Sequence, residues 1–216
     1  MKRARNTIQK EERRAVILDA GWKLFIEEKF SDISMSWVAR EAGLAKGTLY
    51  LYFETKEELF LALLTEKMAV FFEELNQALL MLGEGVTVGE MSRFTGRFFA
   101  QRPHLSRLMA ISHLLLEHNT KDEAIVAFKQ MTGSNVVQTG QIMEKVLSFL
   151  EAGEGAQLVL DVYTIVLGVQ QIADPAPNVV DLLERKPELS VFDIDLEAYL
   201  THMVATHLQG IFSREI

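Results

Sequence analysis

Cysteine is absent from all 216 residues, which excludes a disulfide framework and any thiolate metal site. Proline is scarce at four residues, and glycine contributes only 13. So few chain breakers favour long helices, and no stretch alternates as a half-buried strand would. Nor is there an uninterrupted apolar run of the roughly 20 residues that a bilayer span needs. The longest, Leu158 to Ala173, is broken by Asp161, Gly168, Gln170 and Gln171 and reads as a buried helix. The basic N-terminus has no apolar stretch behind it, so no secretory signal and no membrane association are expected, and the location implied is cytoplasmic.

Catalytic and metal constellations are missing too. None of His104, His113, His118, His202 and His207 has a Glu three residues before it, as a di-iron carboxylate bundle requires. The H-E-x-x-H, P-loop and G-x-S-x-G patterns do not occur. His113 and Glu117 lie at i, i+4, but two ligands do not make a metal site. Gly83, Gly85 and Gly89 have the wrong spacing for a nucleotide loop and mark a linker. No enzyme, cofactor or metal is expected. Cations are outnumbered, 22 Lys and Arg against 30 Asp and Glu, for a net charge of −8. Their distribution is uneven. Residues 1–56 hold 11 cations against 8 anions, and residues 57–216 hold 11 against 22. A mildly basic head on an acidic body leaves only the head able to approach a polyanion.

What is present centres on Ser34 to Lys56, SMSWVAREAGLAKGTLYLYFETK. Ser34 is placed to cap a helix running from about Met35 to Ala42, whose buried face is Val38, Ala39 and Ala42. Gly43 follows where a left-handed residue ends a helix, and Leu44 can plug the angle beyond it. A second short helix, Lys46 to Tyr52, turns Leu49 and Phe53 inward. Lys46, Thr48, Tyr50 and Tyr52 are too polar or too large for one small core. A capped helix, a glycine turn and a short helix bearing a cation, hydroxyls and aromatics form the layout of a helix-turn-helix DNA reader.

The segment resembles the DNA-binding domain of TetR-family transcriptional regulators. The matching residues are Ala39, Ala42, Gly43, Lys46-Gly47-Thr48-Leu49-Tyr50, Tyr52-Phe53, Lys56 and Leu59, with Ala20, Leu24 and Phe25 upstream. The likeness covers roughly Arg13 to Leu63. Lys29 stands where the family usually has a glycine, Ala45 where it often has a capping Ser or Thr, and Trp37 is large for its place. The resemblance implies an all-α protein: an N-terminal three-helix DNA-binding domain, 1–56 with the helix-turn-helix at about 34–53, and a helical effector-binding and dimerisation domain, 57–216. It implies that Ser34 and Ser36 meet phosphate or a base edge. Lys46, Gly47 and Thr48 would enter the major groove of double-stranded DNA. Tyr50 and Tyr52 would offer hydroxyls to phosphate, and Lys56 would neutralise one. The partners implied are a palindromic operator, a second copy of the chain and a small-molecule effector of unknown identity.

Outside that segment, Met1 to about Lys10 reads as a flexible basic arm and Glu11 to Phe30 as the first helix. Thr55 with Glu58 has capping-box spacing at the start of a helix reaching about Leu82. The body reads as helices over Val88–Gln101, His104–Asn119, Lys121–Leu150, Gln157–Ala173 and Asp195–Phe212. The third contains Gly133 and Gly140, which suggest a kink. Residues 174–194 read as a loop with one helical turn. Met91, Phe94 and Phe98, then Met109 and His113, then Phe128, Met131 and Asn135, share helix faces. They are candidates for an apolar effector pocket with few polar groups. Leu158, Val162, Ile165, Val166 and Val169 leave one helix almost without a polar face, and Leu196, Leu200 and Met203 recur on the last. Such helices must be covered, so a homodimer through these two pairs is expected. The function expected is a DNA-binding regulator, a repressor released by a small apolar or aromatic ligand. The alternative is a helix-turn-helix protein acting through protein partners without an effector.

Overall fold

The computed structural model describes residues 2–213, with side chains from Ile8 onward. The described residues form helices and no strand. The helices are α1 (Lys2–Glu27), α2 (Met35–Glu41), α3 (Lys46–Tyr50), α4 (Lys56–Leu82), α5 (Val88–Ala100) and α6 (Pro103–Ile111). A π-helical turn, Ser112–Leu116, extends α6. Then come α7 (Asp122–Val146), α8 (Glu154–Ala173), α9 (Pro177–Arg185), a 3-10 segment (Pro187–Phe192) and α10 (Leu196–Phe212). The chain divides into two compact units, 1–68 with 111–131, and 69–110 with 132–216. The first takes in more chain than the division at 56 assigned to it. Helix α1 starts at Lys2, so the stretch expected as a flexible arm is helical where it is described; Met1 lies outside the described residues.

In the first unit Ile17, Leu18, Leu24 and Phe25 of α1 are buried, as are Val38, Leu49, Leu59 and Phe60, and the Phe25 and Phe60 rings lie 5.8 Å apart. The Phe60 ring meets Phe30 edge-on at 5.1 Å. Gly21 permits this approach, since a Cβ there would sit 3.0 Å from Leu59 Cδ2. Thr55 caps α4 as its sequence suggests: its Oγ1 accepts from the Glu58 amide at 3.0 Å. The Glu58 carboxylate reaches back to the Glu54 amide at 2.7 Å, one residue earlier than a regular capping box. The Thr55 hydroxyl donates to the Asn119 carbonyl at 2.8 Å, and Lys121 pairs with Glu54 at 2.5 Å. These bonds tie the start of α4 to the 111–131 stretch.

The second unit is built on Leu79, Met91, Met143, Leu147, Leu158, Val204 and Leu208. Thr87 and Glu90 close a capping box at the start of α5, and α5 packs along α10. Helix α7 runs unbroken through Gly133 and Gly140. Gly140 serves close packing: a Cβ there would lie 2.3 Å from the Ala156 amide nitrogen, and one on Gly155 would lie 2.0 Å from the Gly140 carbonyl oxygen. The backbones of α7 and α8 therefore touch. A buried Thr139 hydroxyl donates to Asn76 Oδ1 at 2.7 Å. Across α8 and α10, Asp161 accepts from Gln157 at 2.8 Å and lies 3.0 Å from His207 Nε2.

Three expectations about this unit meet a different structure. Leu158, Val166, Val169 and Leu200, expected in a subunit seam, are already buried in the core of a single chain; Val166 is 0% exposed. Val162, Ile165, Leu196 and Met203 are half-buried. Helix α8 is likewise not a buried helix: only 28% of its 18-residue apolar window is buried. By length and composition it also passes as a membrane span, a test that core helices pass as well. Residues 177–192, expected as a loop with one turn, form α9 and the 3-10 segment. Pro177 starts α9 at its first turn, where a missing amide costs nothing.

Candidate nucleic-acid interface

The geometry around residues 34–53 follows from its capping. Ser34 is extended (φ −117°, ψ 154°) and its Oγ accepts from the Trp37 amide at 3.2 Å, starting α2. At the other end the Gly43 amide donates to the Arg40 carbonyl at 3.1 Å and the Leu44 amide to the Ala39 carbonyl at 2.8 Å. This pair of bonds is a Schellman motif, which needs a left-handed residue at its centre; Gly43 has φ +67°. The chain then turns directly into α3. Ala45, at the N-cap of α3, supplies no side-chain acceptor.

The turn fixes which side of α3 faces out. Leu49 and Phe53 are buried, while Lys46, Gly47 and Tyr50 are exposed and Thr48 and Tyr52 half-buried. Lys46 Nζ lies 5.8 Å from the Tyr50 ring centre. Nothing stands within 4 Å of where a Gly47 Cβ would be, so its backbone is open to a close approach. Ser34 and Ser36 are exposed on α2. The result is a cationic, hydroxyl-bearing surface on a rigid frame, one turn wide, as a major-groove reader requires. Two features of this surface escaped the sequence reading. Arg40 is exposed, with its guanidinium 5.8 Å from the Trp37 ring centre, a stacked cation that the i, i+3 spacing on α2 could have signalled. Leu51 is 78% exposed beside α3.

Lys56 is bonded within its own unit. Its ammonium donates to the Phe30 carbonyl at 2.6 Å and the Ile33 carbonyl at 2.9 Å, and lies 4.1 Å above the Phe30 ring. Partial burial lowers its pKa, against the pull of Glu57 and Asp32. A lysine so engaged braces the α1–α2 connection, with two of its three ammonium hydrogens spent on these carbonyls.

The candidate effector residues fall in different units. Met91, Phe94, Phe98, Met109 and Asn135 belong to the second, and His113, Phe128 and Met131 to the first. Met91, Phe98, Met109 and Phe128 are buried, while Phe94, Met131 and Asn135 are half-buried. Phe98 packs on Phe71 at 5.5 Å and Phe94 at 5.4 Å. His113 is corrected: it is exposed in the π-helical turn and its Nδ1 lies 3.0 Å from Glu117, which Lys129 also holds at 2.7 Å. No cluster of metal-ligand residues occurs among the described residues.

A helix-turn-helix with an open cationic reading face, carried on a separate helical unit, defines a DNA-binding transcriptional regulator. The comparisons give the family. Residues 17–63 match the bacterial regulatory proteins of the tetR family, and residues 65–215 match the tetracyclin repressor-like C-terminal domain. The chain belongs to the TetR family. It is 36% identical over 69 residues to the fatty acid metabolism regulator protein of Bacillus subtilis (strain 168), a match covering 32% of this chain and 36% of that one. It is 34% identical over 86 residues to an HTH-type transcriptional regulator of Haemophilus influenzae, covering 39% of this chain and 42% of that one. The matched stretch thus spans less than half of either curated relative. Among solved structures, a TetR transcriptional regulator from Rhodococcus sp. RHA1 superposes with TM-score 0.57 at 19% identity, covering 94% of this chain and 97% of that one. The regulator FadR from Bacillus subtilis, solved in complex with stearoyl-CoA, superposes with TM-score 0.51 at 21% identity over 89% and 95%. At these identities the superpositions speak to fold.

Proposed function

We propose that this protein is a homodimeric repressor that reads a palindromic operator with α2 and α3 and releases it on binding an apolar small molecule in its second unit. The observation that carries the DNA reading is the outward face of Ser34, Ser36, Lys46, Gly47, Thr48 and Tyr50, with Tyr52 at its edge. Arg40 extends that face toward the flanking phosphates. Repression follows from occupancy of the operator, and the compartment is the one that holds the DNA, the cytoplasm. Selection of bound duplexes from a random pool tests this. The expected outcome is a two-fold symmetric sequence with half-sites about one helical turn apart, bound with steep salt dependence. Retention of a protein partner with no salt-sensitive DNA binding would favour the protein-partner alternative.

Unsatisfied polar atoms support an effector site in the second unit. Ser106 Oγ, Thr132 Oγ1 and Gln170 Oε1 are buried without a hydrogen-bond partner. Native structures rarely leave such groups unpaired, and a guest carrying donor and acceptor groups would satisfy them. Phe94, Phe98 and Met109 supply apolar wall, Met91 packs into the adjoining core, and Asn135 adds a half-buried amide. The fatty-acid regulator among the relatives, and the stearoyl-CoA bound to its structural counterpart, make acyl compounds the first to test beside aromatic ones. A true effector raises the melting temperature and weakens operator binding together. Gln170→Leu should blunt both.

A further inference from the structure

Helix α3 is five residues long. That makes it roughly 7.5 Å from end to end, less than the depth of about 8.5 Å of a major groove. Once such a helix is seated, no part of it stands far from a base edge. Its inward side is set by Leu49 and Phe53, which are buried. Leu51 keeps helical dihedrals, φ −74° and ψ −14°, and at 3.6 residues per turn it lies about 200° round the axis from Leu49. It therefore tops the outward side, and it is 78% exposed. Gly47, four residues earlier, shares that side, and nothing stands within 4 Å of where its Cβ would be. The outward side is thus divided. Lys46 and Tyr50, with the ammonium 5.8 Å from the ring centre, make a polar row. Gly47 and Leu51 make an apolar row beside it. An exposed leucine by itself is ordinary on a protein surface. Here its position, on the crest of the reading helix, is the informative fact.

We infer that Leu51 is a specificity-determining residue that reads the 5-methyl group of a thymine, an inference that rests on the operator reading proposed above. Every base pair shows hydrogen-bond donors and acceptors in the major groove, but only thymine shows an apolar group there, its C5 methyl. A leucine side chain has no donor or acceptor. Pressed against the polar edge of a guanine or an adenine, it would take those groups out of water and return no hydrogen bond. Pressed against a thymine methyl, both partners bury apolar surface, which is favourable. Gly47 leaves the space beside Leu51 open, where a longer side chain one turn earlier would fill it. The same chemistry sets aside the phosphates, to which a leucine has nothing to donate. The deoxyribose edge is the other apolar surface of the duplex, and the test separates the two.

The test starts from the operator obtained by selection. Each thymine of the half-site is replaced by deoxyuridine, one position at a time and symmetrically in both half-sites, which removes only the methyl. Binding of the full-length parent and of Leu51→Ala is measured at matched salt by fluorescence anisotropy. The substitution is at an exposed position, and circular dichroism checks that helix content is kept. The expected result is one thymine per half-site whose loss of methyl weakens the parent about fourfold per half-site, the effect of one buried carbon group, and leaves Leu51→Ala unaffected. On the natural operator Leu51→Ala should bind weaker by at least that factor. If loss of the methyl weakens both proteins equally, another group reads it and the inference fails. If Leu51→Ala loses the same affinity on thymine and deoxyuridine duplexes, the leucine packs on sugar; the inference then fails and the operator reading stands. The same holds if no deoxyuridine duplex binds the parent more weakly. Selection that enriches no sequence overturns both.

Discussion

Replacing Lys56 by Met separates two roles that a lysine beside a DNA-reading helix can have. In the structure its ammonium serves the Phe30 and Ile33 carbonyls and stacks on the Phe30 ring. Hydrogen bonds from a charged donor contribute about 1.5–3 kcal/mol each, and a cation over a ring about 0.5–1 kcal/mol. Against this stands the cost of desolvating the ammonium, seen in its lowered pKa. Methionine keeps the stem packed and removes that cost, but leaves both carbonyls to water or to nothing. A net loss of about 2–3 kcal/mol follows, a drop of roughly 4–12 °C in the melting temperature for a chain of this length. Urea unfolding followed by circular dichroism measures the first quantity and a thermal scan the second. DNA binding should be compared where the variant is fully folded. There the salt dependence of binding should match the parent, because no phosphate contact has been lost. An unchanged melting temperature together with a flattened salt slope would refute the brace and restore Lys56 to the backbone contacts.

Other substitutions test other parts of the account. Lys46→Ala should weaken specific binding by about 1–3 kcal/mol and relax base preference at one position per half-site, read by competition against operator variants. Gly140→Ala drives a methyl into the α8 backbone and should cost about 2–3 kcal/mol in urea unfolding, whereas Gly133→Ala, with open space around it, should add about 0.5–1 kcal/mol. Val166→Glu puts a charge into the core of one chain, so circular dichroism should show lost folding and not a well-folded monomer. Glu90 has its pKa lowered first by the Thr87 hydroxyl and then by the Thr87 amide. Its contribution is therefore present above the ordinary glutamate value of 4.5 and is lost as pH falls through the lower folded value. Glu90→Gln should flatten that part of the acid limb of the stability curve.

The DNA-reading unit was legible because its signals are local. A capping serine, a glycine followed by an apolar plug, and polar residues on one side of a short helix each specify backbone within a few residues. The bracing bonds of Lys56 were hidden for the opposite reason: its partners, Phe30 and Ile33, are more than 20 residues away, and only the fold brings their carbonyls under its ammonium. The body was legible as helices and not as surfaces. Val166 and Ile165 are equally apolar neighbours, and sequence alone does not say which one the same chain covers. Gly140 shows the limit on glycine: inside a helix it can signal a kink or a close crossing, and the deciding atom, on Ala156, lies in another helix. The amphipathic α9 was visible in its spacing, but the neighbouring prolines hid it.

The bonds from Thr55 to Asn119 and from Glu54 to Lys121 bear on how the reading head could be isolated. The unit that carries the head is assembled from two separate lengths of chain, 1–68 and 111–131. A fragment cut after the first half of α4 keeps every residue of the reading face but loses the second length, and with it buried Leu116 and Phe128. Such a fragment would be a poor stand-in for the head of the intact protein, and its operator affinity would understate the true one. The chain also passes between its units at three places, two of them inside the unbroken helices α4 and α7. Because the crossings lie within helices, a fragment holding only one unit cannot be made by a single cut in a loop.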